Sequence, residues 1–131
     1  MEHVVDPEHF AAEVRRVLKP GGWFCGRTPA KWGYVGLGAR AIPNGMHTGM
    51  LASLQPQRKA EDVFPTVYKL NTFGDLDRHF PPGDWLNCSY GYNGVPSYHG
   101  NRRILFRLIE AWCWLVPRAL SAKLHIFLRK C

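Results

Sequence analysis

The sequence predicts an α/β fold, and three local features carry that prediction. A capped amphipathic helix opens the chain, Pro20-Gly21-Gly22 ends it sharply, and the apolar run Trp23-Phe24-Cys25-Gly26 follows at once. A strand placed directly after a helix is the alternation from which α/β domains are assembled. A further strand is expected at the other end, over Lys123-Leu124-His125-Ile126-Phe127-Leu128-Arg129.

Composition bounds the classes to consider. The chain has 131 residues, 46% of them hydrophobic and 21% charged, which suits one globular domain with its own core rather than a disordered segment. The most apolar stretch, Ala111 to Val116, falls far short of the roughly 18 residues that a membrane span needs. The N-terminus shows no basic-then-apolar secretory pattern, so a cytoplasmic protein is expected. Cys25, Cys88, Cys113 and Cys131 are widely scattered, as expected of reduced and mostly buried thiols rather than of a zinc or redox centre. The histidines are equally dispersed and predict no metal site. The net charge of +7 is concentrated late, at Arg102, Arg103, Arg107, Arg118, Lys123, Arg129 and Lys130. A basic balance suits nucleic acid, an acidic substrate or an anionic membrane, but on a helical pattern it first predicts a solvated face.

Each element has its own signals. Asp6 is suited to cap a helix, Pro7 to its first position and Glu8 to its positive end; Phe10, Val14, Val17 and Leu18 recur at helical spacing. Gly22 to Thr28 reads as a strand. Trp32 to Ile42 is a glycine-interrupted helix stopped by Pro43-Asn44-Gly45, and Met46, Met50, Leu51 and Leu54 form a second amphipathic stretch. Gln55 to Glu61 reads as a loop and Val67 to Leu70 as briefly extended. Thr72 with Asp75 resembles a capping box for a short helix through Leu76 and Phe80, broken by Pro81-Pro82-Gly83. Trp85 to Tyr92 reads as a strand, Asn93-Gly94 as a turn, and Arg103 to Val116 as the longest helix. In that helix Ile104, Leu105, Leu108, Ile109, Trp112 and Leu115 are expected along the boundary between core and water.

Few residues suggest chemistry by themselves. Gly36-Leu37-Gly38-Ala39-Arg40-Ala41 has the letters of a dinucleotide fingerprint, yet the preceding strand ends near Thr28 and Pro43 cuts the following helix short. Both departures break the mechanism of the motif, which makes it a decoy. Ser53, Ser89, Ser97 and Ser121 lack a glycine-flanked elbow, and Cys25 has no identifiable base. Glu2 beside His3 is a pair with the chemistry of a base or a ligand, but common by chance. Trp85, Tyr90, Tyr92 and Tyr98 form an aromatic cluster that more often lines a core or pocket than stacks nucleic-acid bases.

Taken together, Glu2-His3-Val4, Asp6-Pro7-Glu8, Phe10, Glu13, Arg16-Val17-Leu18-Lys19-Pro20-Gly21-Gly22 and Thr28-Pro29 resemble the type 11 family of class I S-adenosylmethionine-dependent methyltransferases. On this resemblance the Glu-His-Val element follows the fourth strand of a Rossmann-like sheet, and the Leu-Lys-Pro-Gly-Gly turn leads into the fifth. Softer likeness continues through Glu61 to Thr66, Tyr68, Asn71-Thr72, Pro96-Ser97-Tyr98 and His125-Ile126 to Lys130. Trp85 to Tyr92 and Leu124 to Arg129 would then be the sixth and seventh strands, an antiparallel pair at the sheet edge with the Arg103 to Val116 helix between them.

The resemblance implies a partial Rossmann-like fold, strands five to seven with flanking helices, in which the N-terminal cofactor-binding half is missing. Residues 1–30 would be the family core helix and strand, 31–83 a variable substrate-side region, and 84–131 the terminal strands with the inserted helix. Gly22 to Thr28 would be a central parallel strand lacking one neighbour, an edge that invites aggregation or a partner chain. The glycine-rich cofactor loop and the ribose-binding acid would lie upstream of Met1, leaving Glu2 and His3 at the rim of the cofactor site. The chain alone is then expected to be poorly stable and not to bind S-adenosylmethionine. The implied function is methyl transfer to a small acceptor, apolar or lipid-like on the strength of Trp32, Tyr34, Trp112 and Trp114. The alternatives are a non-catalytic remnant or partner-completing subunit, and a basic module for a membrane surface or nucleic acid, the latter the less expected.

Overall fold

The computed structural model describes residues 1–41, 67–96 and 99–131. The expected amphipathic stretch at Met46 to Leu54, the loop at Gln55 to Glu61, the family-like connector Glu61 to Thr66, and Ser97 with Tyr98 lie outside them, as does the stop at Pro43-Asn44-Gly45.

The first helix, α1 (Pro7–Val17), starts as its sequence predicts. The Asp6 carboxylate accepts the His9 backbone N–H at 3.0 Å, and proline occupies the first turn. Ala11 and Val14 are buried, with Phe10 and Leu18 packed beside them. Val17 is 62% exposed, a correction to the expected stripe, in which Ala11 takes its place. At the other end Lys130 donates to the carbonyls of Arg15 and Leu18 at 2.7 and 2.8 Å, placing a cation on the negative end of the helix.

Gly21, at φ +79°, turns the chain into β1 (Trp23–Pro29). After it come α2 (Tyr34–Ala41), α3 (Phe73–His79), β2 (Trp85–Asn87), β3 (Tyr90–Tyr92), α4 (Arg103–Leu115), a 3-10 turn at Arg118–Leu120, and β4 (Lys123–Lys130). The capping box of α3 is formed in full: Thr72 Oγ1 accepts from Asp75 N at 3.0 Å, and the Asp75 carboxylate accepts from Thr72 N at 3.1 Å. Val67 to Leu70 is not extended; Tyr68 sits at φ +52°, and the segment turns instead.

Among the described residues β4 is the centre of an open four-stranded sheet, antiparallel to β1 on one side and to β2 and β3 on the other. The expected strand from Trp85 to Tyr92 is thus two short pieces. The register is continuous across the break, since Trp85 pairs with Lys130 and Tyr92 with Lys123. At the break the Ser89 hydroxyl accepts the Phe127 N–H at 3.1 Å, and the Asn87 side chain accepts Ser89 N at 3.0 Å. A side chain therefore takes over one rung of the ladder. The expectation that β1 is a parallel strand is also corrected: its ladder to β4 is antiparallel, and among the described residues no strand pairs with its other edge.

Side-chain alternation along β4 builds the core. Leu124, Ile126 and Leu128 point inward and are essentially fully buried against Leu70, Leu76, Phe80, Trp85 and α1. Rings of Phe10, Phe24, Phe80 and Trp85 touch in succession, with centroids 5.8, 6.2 and 5.2 Å apart, and so tie α1, β1, the end of α3 and β2 together. The cysteines are free but not mostly buried: Cys25, Cys88 and Cys131 are exposed and Cys113 is half-buried. Cys25 lies on the outward side of β1, the strand end Cys131 and the ladder break at Cys88 account for the others, and none of these places has a second layer over it. Among the described residues no helix is long and apolar enough to cross a membrane.

Candidate functional site at the carboxyl end of the sheet

β1 and the β2–β3 strand run in the same direction because both are antiparallel to β4. Their carboxyl ends, Pro29 and Tyr92, meet the start of β4 at Lys123. The crevice outside the carboxyl ends of strands is where open α/β sheets bind ligands, because loops diverge there and leave backbone groups exposed.

Asn71 organises this end. Its side chain is fully buried, and its amide donates to Thr28 Oγ1 at 2.7 Å and to the Pro29 carbonyl at 2.8 Å. The Asn71 carbonyl accepts from Lys31 N at 3.0 Å, so one residue holds the chain on both sides of the strand end. Its Oδ1 is buried with no hydrogen-bond partner among the described residues. A buried acceptor left open is costly in a finished core and marks a place where a donor is expected.

The same segment carries the N-terminus. The Glu2 carbonyl accepts from Val67 N at 2.7 Å and Tyr68 N at 3.4 Å, and Lys69 Nζ donates to the Val5 carbonyl at 2.7 Å. Tyr68 is a buried aromatic in the left-handed region, a conformation that bulky residues rarely adopt and that surrounding bonds must hold in place. Glu2 and His3 are thereby held beside Val67 and Tyr68, with Glu2 Oε1 and His3 Nε2 3.4 Å apart; Glu2 is half-buried and His3 exposed. A carboxylate beside an imidazole can orient the ring or share a proton. Among the described residues no group of three or more His, Cys, Asp or Glu side chains is placed to hold a metal ion.

The other half of this end is a cleft of about 450 Å³ between the turn after β3 and α4, lined by Asn93, Val95, Pro96, Phe106, Glu110 and Cys113 among others. Asn93 sets its geometry. The side chain donates to the Cys113 carbonyl at 2.8 Å and accepts Ala122 N at 2.7 Å, fastening α4 to the residue before β4. Burial pushes the Cys113 thiol above its ordinary value.

Gly33 and Gly36 stand at close backbone approaches, whereas a Cβ on Gly38 would meet nothing within 4 Å. A Cβ on Gly33 would lie 2.5 Å from the Ser121 carbonyl oxygen, and one on Gly36 would lie 2.6 Å from the carbonyls of both Ala30 and Lys31. These glycines let α2 lie against the strand end, and the backbone atoms they face are carbonyl oxygens, which repel an anion. The aromatic cluster is divided. Trp85 is buried in the core, whereas Tyr90 and Tyr92, odd-numbered steps away on a period-two ladder, sit half-exposed on the opposite face beside His125. Ser89 supports β4, Ser121 is buried, and neither meets a base. The sequence did not mark Asn71 or Asn93 as site residues: Asn71 stood only within the family-like Asn71-Thr72, and Asn93 beside Gly94 read only as turn chemistry.

A family model for a methyltransferase domain matches residues 1–26, the stretch from the N-terminus through α1 into β1. No curated protein and no solved structure matches the chain. Among the described residues this end of the sheet does not fit S-adenosylmethionine as a complete site: Gly33 and Gly36 are closed by backbone carbonyls, and Glu2 offers one carboxylate beside His3.

Proposed function

We propose that the chain carries strands five to seven of a class I methyltransferase domain, with β1 as the fifth, β2–β3 as the sixth and β4 as the seventh. It supplies the acceptor side of the site, while S-adenosylmethionine is held mainly by residues outside this chain's described elements. The observation that carries this reading is the match of residues 1–26 to a methyltransferase domain, which falls on the α1–β1 unit. The antiparallel ladder between β2–β3 and β4, with α4 between them in sequence, supports the same assignment. Glu2 and His3 form the rim nearest the cofactor, and the acceptor is a small apolar molecule seated toward the cleft beside α4. Catalysis in such an arrangement comes chiefly from holding donor and acceptor in line.

The edge of β1 that has no strand partner among the described residues favours a closely related reading, a subunit completed by a second chain. One experiment tests both. S-adenosylmethionine is titrated calorimetrically into the purified chain, and complexes of the chain from its native cells are photolabelled with the same compound. No saturable heat from the chain and a labelled complex are the expected results. Saturable binding by the chain alone overturns the division of the site, and an unlabelled complex overturns the methyltransferase reading.

A further inference from the structure

Helix α4 is built the wrong way round for a helix facing water. Ile104, Leu108, Ala111 and Leu115 follow the spacing i, i+4, i+7, i+11 and form one stripe, joined by Trp112. This stripe faces outward: Ile104 is 79% exposed, Leu108 64% and Leu115 84%. No residue of the helix is buried, although Leu105 and Ile109 are half-covered on the inner side. A helix apolar on its outer side needs a cover.

The flank of the stripe identifies the cover. Arg103, Arg107 and Trp114 lie along the next line of the helix, and Arg102 precedes its first turn. Trp114 is 88% exposed. Arg107 is paired with Glu110 at 2.7 Å, but Arg102 and Arg103 have no ion pair among the described residues. Exposed Ile and Leu with Trp at the margin and Arg beside it is the arrangement of a helix lying in a lipid headgroup layer: the apolar stripe enters the acyl boundary, and the arginines reach back to anionic headgroups. A nucleic acid would leave the aliphatic stripe in water.

We propose that α4 docks the chain on an anionic lipid surface, with Ile104, Leu108, Trp112 and Leu115 inserted and Arg102 and Arg103 on the headgroups. The proposal is independent of methyl transfer, because it concerns a surface and its test reads binding alone.

The test uses the full chain with vesicles of phosphatidylcholine alone or mixed with phosphatidylglycerol. Binding to the anionic vesicles is expected, weakened by added salt, with little to the neutral ones. Brominated lipid should quench the tryptophan emission, and W112F/W114F should lose most of that quenching. R102E/R103E should bind at least about 25-fold more weakly, at roughly fivefold per basic residue. Acidic residues at a helix N-terminus favour the helix, so this loss would not arise from unfolding. L108S/L115S should bind about tenfold more weakly or worse, with circular dichroism confirming the fold. The proposal is overturned if anionic vesicles are not bound, if neutral vesicles bind equally well, or if either double variant binds undiminished. It is equally overturned if L108S/L115S turns a dimer into a monomer without vesicle binding, or if a single-stranded oligonucleotide rather than lipid is bound.

Discussion

The Asn71 amide donates to the Thr28 hydroxyl at 2.7 Å, a buried bond between residues 43 positions apart. Together with its bond to the Pro29 carbonyl at 2.8 Å, it fastens the carboxyl end of β1 to the segment that enters α3. Asn71→Leu removes these donors and leaves the Thr28 and Pro29 oxygens buried without them. The expected loss is about 1–3 kcal/mol, read from urea unfolding midpoints. Asn71→Asp should be worse, because a carboxylate at this position faces the Pro29 carbonyl and forms no ion pair among the described residues.

Two glycines of one stretch should respond in opposite directions. Gly33→Ala drives a methyl to 2.5 Å from the Ser121 carbonyl and 2.8 Å from the Ala122 Cα, both backbone atoms, and should cost about 1–3 kcal/mol. Gly38→Ala, inside α2 with nothing within 4 Å of the new atom, should be neutral or stabilise by about 0.5–1 kcal/mol. Thermal unfolding of the two variants beside the parent checks the contrast. Equal effects would remove the close approach of α2 to the start of β4.

The caps of α1 and α3 are locally encoded, and their loss should be similar in size. Asp6→Ala and Thr72→Ala each remove a side-chain acceptor from a helix N-terminus. Each should lower stability by about 1 kcal/mol. Thr72→Ser should retain most of the parent stability, which separates the hydroxyl from the rest of the side chain.

The Cys113 thiol is held above its ordinary value by burial, and its pH dependence follows. The folded state favours the neutral thiol, so the associated stability is full below the ordinary thiol range. It is lost as pH rises through the raised value. Near that range Cys113 should alkylate more slowly than the exposed Cys25, Cys88 and Cys131, with mass mapping as the readout. Cys113→Ala should remove this part of the alkaline decline in stability.

Much of the fold was legible because its signals are short-range. The Asp6 cap, the proline after it, the Gly21 turn and the Thr72–Asp75 box each involve residues within a few positions, and all form as expected. The break at Cys88 and Ser89 was not legible, since it depends on the Ser89 hydroxyl meeting Phe127 from another strand. The site was less readable than the fold. Glu2 and His3 were visible as a pair, but where the pair sits depends on Val67 and Tyr68 bonding the Glu2 carbonyl. Of the fingerprint letters at Gly36 to Ala41, Gly36 faces the Ala30 and Lys31 carbonyls, and only that tertiary contact explains why glycine is needed there.

By itself the sequence determined α1, the turn into β1, the capping box of α3 and the alternating strand β4, because hydrogen bonds and side-chain periodicity inside each segment specify them. Tertiary structure decided that β4 lies between β1 and β2–β3, that Asn71 reaches Thr28, and that the apolar stripe of α4 faces outward. Those outcomes depend on which segments compete for the same buried surface, and a hydrophobic pattern states that a face wants covering without stating what will cover it.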